Sequence, residues 1–242
     1  MNISKEVTMC SSDVLRELAG LGKDSLKKRY MGNGAIEPLF GVATGAMKPL
    51  AKQIGKNQTL AEELYSSGNY DAMYFAGMIA EPDGMGVRDF NRWMEAAYFF
   101  MLSDFVVAVT LSESAIAKNV AAAWLDSPRN LTVSGGWSCW NWLVGWRPDD
   151  FFEIEAMNKL LQRARTDIAV HKGRARIAIR NFIIAAGISY KPLHEKTLAL
   201  AGDIDRLALD YDDTKCFSGL AKSIHKEVEK GRLGFKRKNV RC

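Results

Sequence analysis

Apolar residues recur every three to four positions along most of the chain, the spacing of one face of a helix. The pattern predicts helices over 12–21, 25–30, 45–54, 60–66, 71–80, 87–99, 103–110, 114–124, 132–144, 150–170, 175–186, 192–201 and 218–230. Short breaks separate them: Gly32, Gly34 and Pro38; Pro82 with Gly84; Ser127 with Pro128; Gly145 with Pro148. Proline lacks the N–H and glycine lowers the cost of leaving the helix, so these positions stop the pattern. In 150–170 the residues Met157, Leu161, Ala164 and Ile168 form one stripe, and in 175–186 Ala178, Phe182 and Ala185 do the same.

About a dozen short helices, each with one apolar stripe and joined by tight turns, predict an all-α chain. An α-solenoid of helical pairs accounts for that series, with pairs of roughly 35 to 45 residues suiting HEAT-like units. An irregular helical bundle satisfies the same periodicity. The exception is 204–217, where Leu207, Leu209 and Tyr211 alternate ahead of Asp212, Asp213 and Thr214. That stretch reads either as a short β-hairpin or as an acidic loop.

Composition agrees with helices. The 242 residues include 28 alanines and only 6 prolines, and alanine gives up no side-chain entropy in a helix. With 48% hydrophobic residues the chain holds enough core for a single domain over 1–242, ending in a basic tail over 231–242. The longest apolar stretch, 96–111, is interrupted by Ser103 and Asp104, so no membrane association is expected. Cys10, Cys139, Cys216 and Cys242 are far apart, and His171, His194 and His225 are isolated. No disulfide framework, metal site, cofactor or Ser/His/Asp arrangement is indicated, and a cytoplasmic monomer is expected.

The formal charge of +5 is unevenly placed. Residues 226–242 carry seven Lys or Arg against two Glu, so the rest of the chain is neutral overall. Within that neutral body, 163–180 holds Arg163, Arg165, Lys172, Arg174, Arg176 and Arg180 against Asp167 alone, while 203–213 holds five Asp against Arg206. Lys23, Lys27, Lys28 and Arg29 form a smaller group. Such clusters suit phosphate contacts, which release condensed counterions; their bland reading is a solvated helix face. In the tail, Arg232, Lys236, Arg237 and Lys238 accompany Gly231 and Gly234, which favours close backbone approach to phosphates over a targeting signal or a disordered solubilising tail.

One carboxylate, Asp104, sits inside the apolar run from Tyr98 to Val107, with Phe100 four residues before it. An acid there would be desolvated and its pKa raised unless a cation or hydrogen bonds hold it ionised. The alternative is that Ser103 or Asp104 caps the start of the following helix.

Here the chain resembles the AlkD-like DNA alkylation repair proteins. The order and spacing of several segments carry the likeness: Leu39 to Val42, Met47 to Lys52, Ala61 to Tyr65, Asp71 to Met73, Ile79 with Ala80, and the closing run from Gly231 to Lys238. The resemblance implies a solenoid of HEAT-like repeats with a concave basic face on double-stranded DNA. In active members a carboxylate and two tryptophans help to excise cationic N3- or N7-alkylated purines without flipping the base. The alkylated purine is already a good leaving group, so the main requirement is to stabilise an oxocarbenium-like sugar and position a water.

Carried over by position, Asp104 matches the carboxylate, and Phe100 and Phe182 stand where the tryptophans are expected. Phenylalanine has less area and a weaker pull on a cation. The arginine expected early in the helix near Thr132 is missing, since the chain reads Val133, Ser134, Gly135, Gly136, Trp137; Trp137 and Trp140 offer other DNA contacts. The resemblance thus implies DNA binding, with alkylpurine excision as the leading activity. A non-catalytic binder of branched or distorted DNA and a protein-binding helical scaffold remain as alternatives.

Overall fold

A polar side chain decides where several helices begin. Asn57 accepts the Leu60 N–H at 3.0 Å to start α4, and Asn69 accepts the N–H groups of Asp71 and Ala72 to start α5. The computed structural model describes residues 9–207, 209 and 219–241. Among them the chain forms thirteen α-helices and no strand: α1 (Ser11–Leu21), α2 (Asp24–Gly32), α3 (Thr44–Ile54), α4 (Gln58–Ser66), α5 (Tyr70–Ile79), α6 (Val87–Ala96), α7 (100–113), α8 (Ala117–Trp124), α9 (Asn130–Trp146), α10 (Ile154–Val170), α11 (Gly173–Ser189), α12 (His194–Asp205) and α13 (Leu220–Glu229). Short 3₁₀ turns at Pro82–Gly84, Asp149–Phe151 and Lys191–Leu193 join neighbours.

Each stripe read from the sequence faces one continuous core. Met157, Leu161, Ala164 and Ile168 of α10 are buried, as are Ala178 and Phe182 of α11. Trp93, Trp137, Phe75, Phe90 and Tyr190 are the largest fully enclosed side chains. The Asp71 carboxylate, itself enclosed, accepts the N–H groups of Phe40, Gly41 and Val42 at 2.6, 3.0 and 2.8 Å and so pins the loop before α3 to α5. In that loop Gly41 adopts φ +81°, and a Cβ there would meet backbone of Lys27 at 2.5 Å.

Of the element boundaries that differ from the periodicity, three have a plain local reason. The helix expected over 87–99 stops at Ala96, because the Arg129 guanidinium bonds to the carbonyls of Met94, Glu95 and Ala97. The one expected over 150–170 begins only at Ile154, after Phe152 turns into the core in extended backbone. Ser103 and Asp104 cap nothing. They lie inside α7, which starts at Phe100 and passes through a π-helical turn over Ser103–Val107 before resuming α geometry over Ala108–Glu113. Of the hairpin expected over 204–217, Ile204 and Asp205 end α12; residues 208 and 210–218 lie outside the described residues.

The tail is a fixed strap. From Gly231 and Gly234, both at positive φ, it crosses the ends of several helices. The N–H of Gly234 bonds to Ile188 O at 2.7 Å and that of Arg237 to Gly145 O at 2.8 Å. Lys236 reaches Val144 O and Asp149, and Arg241 inserts beside Glu113 with a 2.8 Å bond to Ala80 O.

Replacing Arg129 by Ala leaves the carbonyls at the end of α6 without their charged donor. Hydrogen bonds to charged groups contribute about 1.5–3 kcal/mol each, and solvent recovers part of that at this half-exposed site. The expected loss is about 2 kcal/mol of unfolding free energy, measured by urea denaturation.

Candidate nucleic-acid interface

The π-helical turn of α7 sets the geometry of the site. Within it the Ala108 N–H bonds to the Ser103 carbonyl five residues back, and the Asp104 carbonyl instead takes the Trp142 indole N–H at 2.8 Å. Such turns re-aim side chains inside an otherwise regular helix. The Asp104 carboxylate is buried, with its side chain 2% exposed. Ser103 Oγ donates to Oδ1 at 2.8 Å, Ser134 Oγ lies 2.9 and 3.0 Å from the two oxygens, and Arg174 Nε donates to Oδ2 at 2.7 Å.

Three helices therefore meet on one carboxylate. Ser134 can reach it because α9 comes very close to its neighbours at Gly135, where a Cβ would stand 2.2 Å from Met94 Cε. A side chain at Gly135 would have to displace the end of Met94. The cation is supplied from another helix. Arg174, at the start of α11, bonds to Asp104 and lays its guanidinium carbon 4.1 Å over the Phe100 ring.

Burial raises the Asp104 pKa above the ordinary aspartate range, while Arg174, Ser103 and Ser134 pull it back by stabilising the charged form. Arg174 keeps 21% of its side chain exposed, so the pair has one enclosed and one solvent-facing partner.

Beside it runs a row of aromatic rings. Phe99 and Phe100 lie 4.6 Å apart between centroids, Phe100 and Phe105 6.4 Å, and Phe105 and Trp142 5.9 Å, all edge to face. Arginines stand at both ends of the exposed part, Arg174 over Phe100 and Arg237 over Trp142 at 5.0 Å. Phe105, at 36% exposure, is open to solvent between them.

The structure brings Asp104, Phe100, Arg174 and Arg237 together and separates the other residues singled out from the sequence. Phe182 is fully enclosed against Trp137, with centroids 5.0 Å apart, and Trp140 is also buried. These rings serve the core, because their stripes face the helices packed on α9 and α11, and they present no face to a ligand. Arg163 is tied to Asp126 and Asp167 at 2.7 and 3.2 Å, Arg176 Nε donates to His171 O at 2.6 Å, and Arg180 is buried near Ser223. The run from Arg163 to Arg180 is thus no single basic face. Lys172 is exposed at the start of α11. In the tail, Lys236 is engaged by Asp149 and Arg232 by Glu227, whereas Lys238 is exposed with no ion-pair partner among the described residues.

Sequence reasoning missed Ser103, Ser134, Trp142 and Phe105 as parts of the site. Ser134 stood in the segment noted only for its missing arginine, and its pairing with a helix thirty residues earlier has no local signature.

An all-α array of paired helices carrying a buried aspartate and an aromatic–arginine row defines the class. A sequence profile described as DNA alkylation repair enzyme matches residues 12–211, and the chain belongs to that family. The Listeria innocua protein Lin0241 is 28% identical over 205 residues, 83% of this chain and 88% of the relative. Lmo0209 of Listeria monocytogenes is 26% identical over the same length and coverage. A solved structure superposes with a TM-score of 0.90 at 50% identity, covering 97% of this chain and 100% of that one. It is described as representing a new family of proteins related to the HEAT-like repeat DNA glycosylases with affinity for branched DNA structures. The HEAT-like helical fold is common to both.

Removing Arg174 tests the electrostatics of the site. Arg174→Ala leaves the Asp104 carboxylate buried without its cation, so its folded pKa rises further above the unfolded value. Between those two values the folded state binds the extra proton, and stability falls as pH rises through that window. The variant is expected to lose little at pH 4 and about 3 kcal/mol at pH 8, by urea denaturation. Adding Asp104→Asn to Arg174→Ala removes the charge and is expected to abolish the extra pH dependence.

Proposed function

We propose that this protein binds branched or distorted double-stranded DNA along the Phe100–Phe105–Trp142 row, and that Asp104 serves to fix this face. The observation that carries the reading is the relative with affinity for branched DNA, alike at 50% identity over nearly the whole chain. The arrangement of the face supports it. Arg174, Arg237, Lys172 and Lys238 supply positive charge for phosphates. Phe105, exposed between the half-buried Phe100 and Trp142, offers a stacking surface where helical stacking is interrupted. The same family membership favours DNA over a protein-binding scaffold.

Excision of cationic alkylpurines is the second reading, favoured by the position of Asp104 beside an aromatic ring and by family membership. It asks that a carboxylate face an oxocarbenium-like sugar. Here both oxygens are occupied by Ser103, Ser134 and Arg174, so Arg174 would first have to swing away. Binding needs no such movement, which is why it is the preferred reading.

Two measurements separate these. In gel shifts, a four-way junction is expected to bind more tightly than linear duplex of the same length, and affinity to fall with salt. Arg237→Ala should weaken binding and lower the salt slope by about 1, the loss of one phosphate contact. Equal, salt-insensitive binding to all forms would overturn the reading. Release of 7-methylguanine or 3-methyladenine from alkylated duplex is expected to stay at background for wild type and Asp104→Asn alike; release abolished by Asp104→Asn would establish excision instead.

A further inference from the structure

Between the aromatic row and the C-terminal strap lies a cleft of about 390 Å³, lined in part by Phe105, Trp142, Asn141, Asn181, Phe235 and Arg237. Its volume falls in the range of small-ligand sites, roughly 300–1,000 Å³. The strap makes one wall: the bonds from Gly234 to Ile188 and from Arg237 to Gly145 hold Phe235 against the ends of α9 and α11. Phe235 is nevertheless 56% exposed, with no ring partner among the described residues. Phe105, the exposed member of the aromatic row, lines the same cleft.

The polar lining combines amides with charged groups. Asn141 and Asn181 bring side-chain amides, each with donor and acceptor groups, from the two helices that pack most extensively on each other. Glu227 is also present, but Arg232 and Lys230 pair with it and hold its carboxyl below the usual range. With Arg237 over Trp142, the lining carries a net positive charge.

Flat apolar faces, amides able to match a donor–acceptor edge, and a guanidinium at the mouth together fit one occupant: an unstacked nucleobase still attached to its phosphate chain. A fatty chain would leave the amides unpaired, and an acidic side chain has no flat face to set against Phe105 or Phe235. We propose that this cleft takes up an unpaired nucleotide at a DNA branch, with Phe105 and Phe235 as its stacking walls and Asn141 and Asn181 on its base edge. The proposal rests on the branched-DNA reading for where such a base arises, but the cleft itself also predicts binding to single strands.

The test compares a fully paired four-way junction, the same junction with two unpaired thymines at the crossover, and a thymine single strand. Wild type is expected to bind the unpaired junction about tenfold more tightly than the paired one, the effect of about one base–aromatic stack. Phe235→Ala, a change at an exposed ring with no cost to the core, and Asn181→Ala should each reduce that preference to within twofold, with paired-junction affinity shifting less than twofold. Equal binding of both junctions by wild type, or a preference intact in both variants, overturns the proposal. If no junction is preferred over duplex but the single strand binds with Phe235-dependent affinity, the branch reading falls and the cleft assignment stands. If neither the single strand nor the unpaired junction depends on Phe235, the cleft assignment falls whatever the junction preference.

Discussion

The ion pair between Asp104 and Arg174 is the contact on which the arrangement of this face depends. A carboxylate withdrawn from water must be compensated by hydrogen bonds and an opposite charge, or it takes up a proton. Here the compensation arrives from three directions: Ser103 on the same helix, Ser134 on α9 and Arg174 on α11. The charge therefore acts as a junction between α7, α9 and α11. It also orients the Arg174 guanidinium over Phe100, so the same contact that satisfies the buried acid caps one end of the aromatic row.

Close helix contact is the second requirement, and glycine meets it. At Gly135 a methyl group would collide with Met94, and at Gly77 it would stand 2.7 Å from Val106 of α7. Gly77 lets α5 approach the π-helical turn, and Gly135 lets α9 approach α6 beside it. The turn in turn rotates Asp104 inward while Phe105, its neighbour, remains open to solvent. An acid committed to packing and a ring committed to the surface thus sit side by side because the helix leaves α geometry between them.

The C-terminal strap ties the periphery to this centre. Much of its positive charge is neutralised within the molecule, by Glu227, Asp149 and Glu113, and what remains available is concentrated at Arg237 and Lys238. A count of basic residues would have spread the DNA contact over the whole tail and over 163–180. Burial and pairing leave fewer cations free, Arg237 beside the aromatic row and Lys238 and Lys172 at the surface, where their field acts on solvent.

The chain's periodicity and composition determined the helical class, most helix positions and the core stripes, because one apolar face per helix is written locally, every three to four residues. The order of short segments was enough for the family, and Asp104 was legible as a lone acid in an apolar run. What held that acid was not legible. The partners Ser134 and Arg174 lie thirty and seventy residues away and come together only when three helices cross. For the same reason Phe182 and Trp137, candidates by residue type, belong to the interior, while Trp142 and Phe105, unremarked in the sequence, stand at the surface. Residue type and spacing specify which face of a helix is apolar; only the packing of that helix against others decides whether a given ring or charge is spent inside the protein or left to meet a ligand.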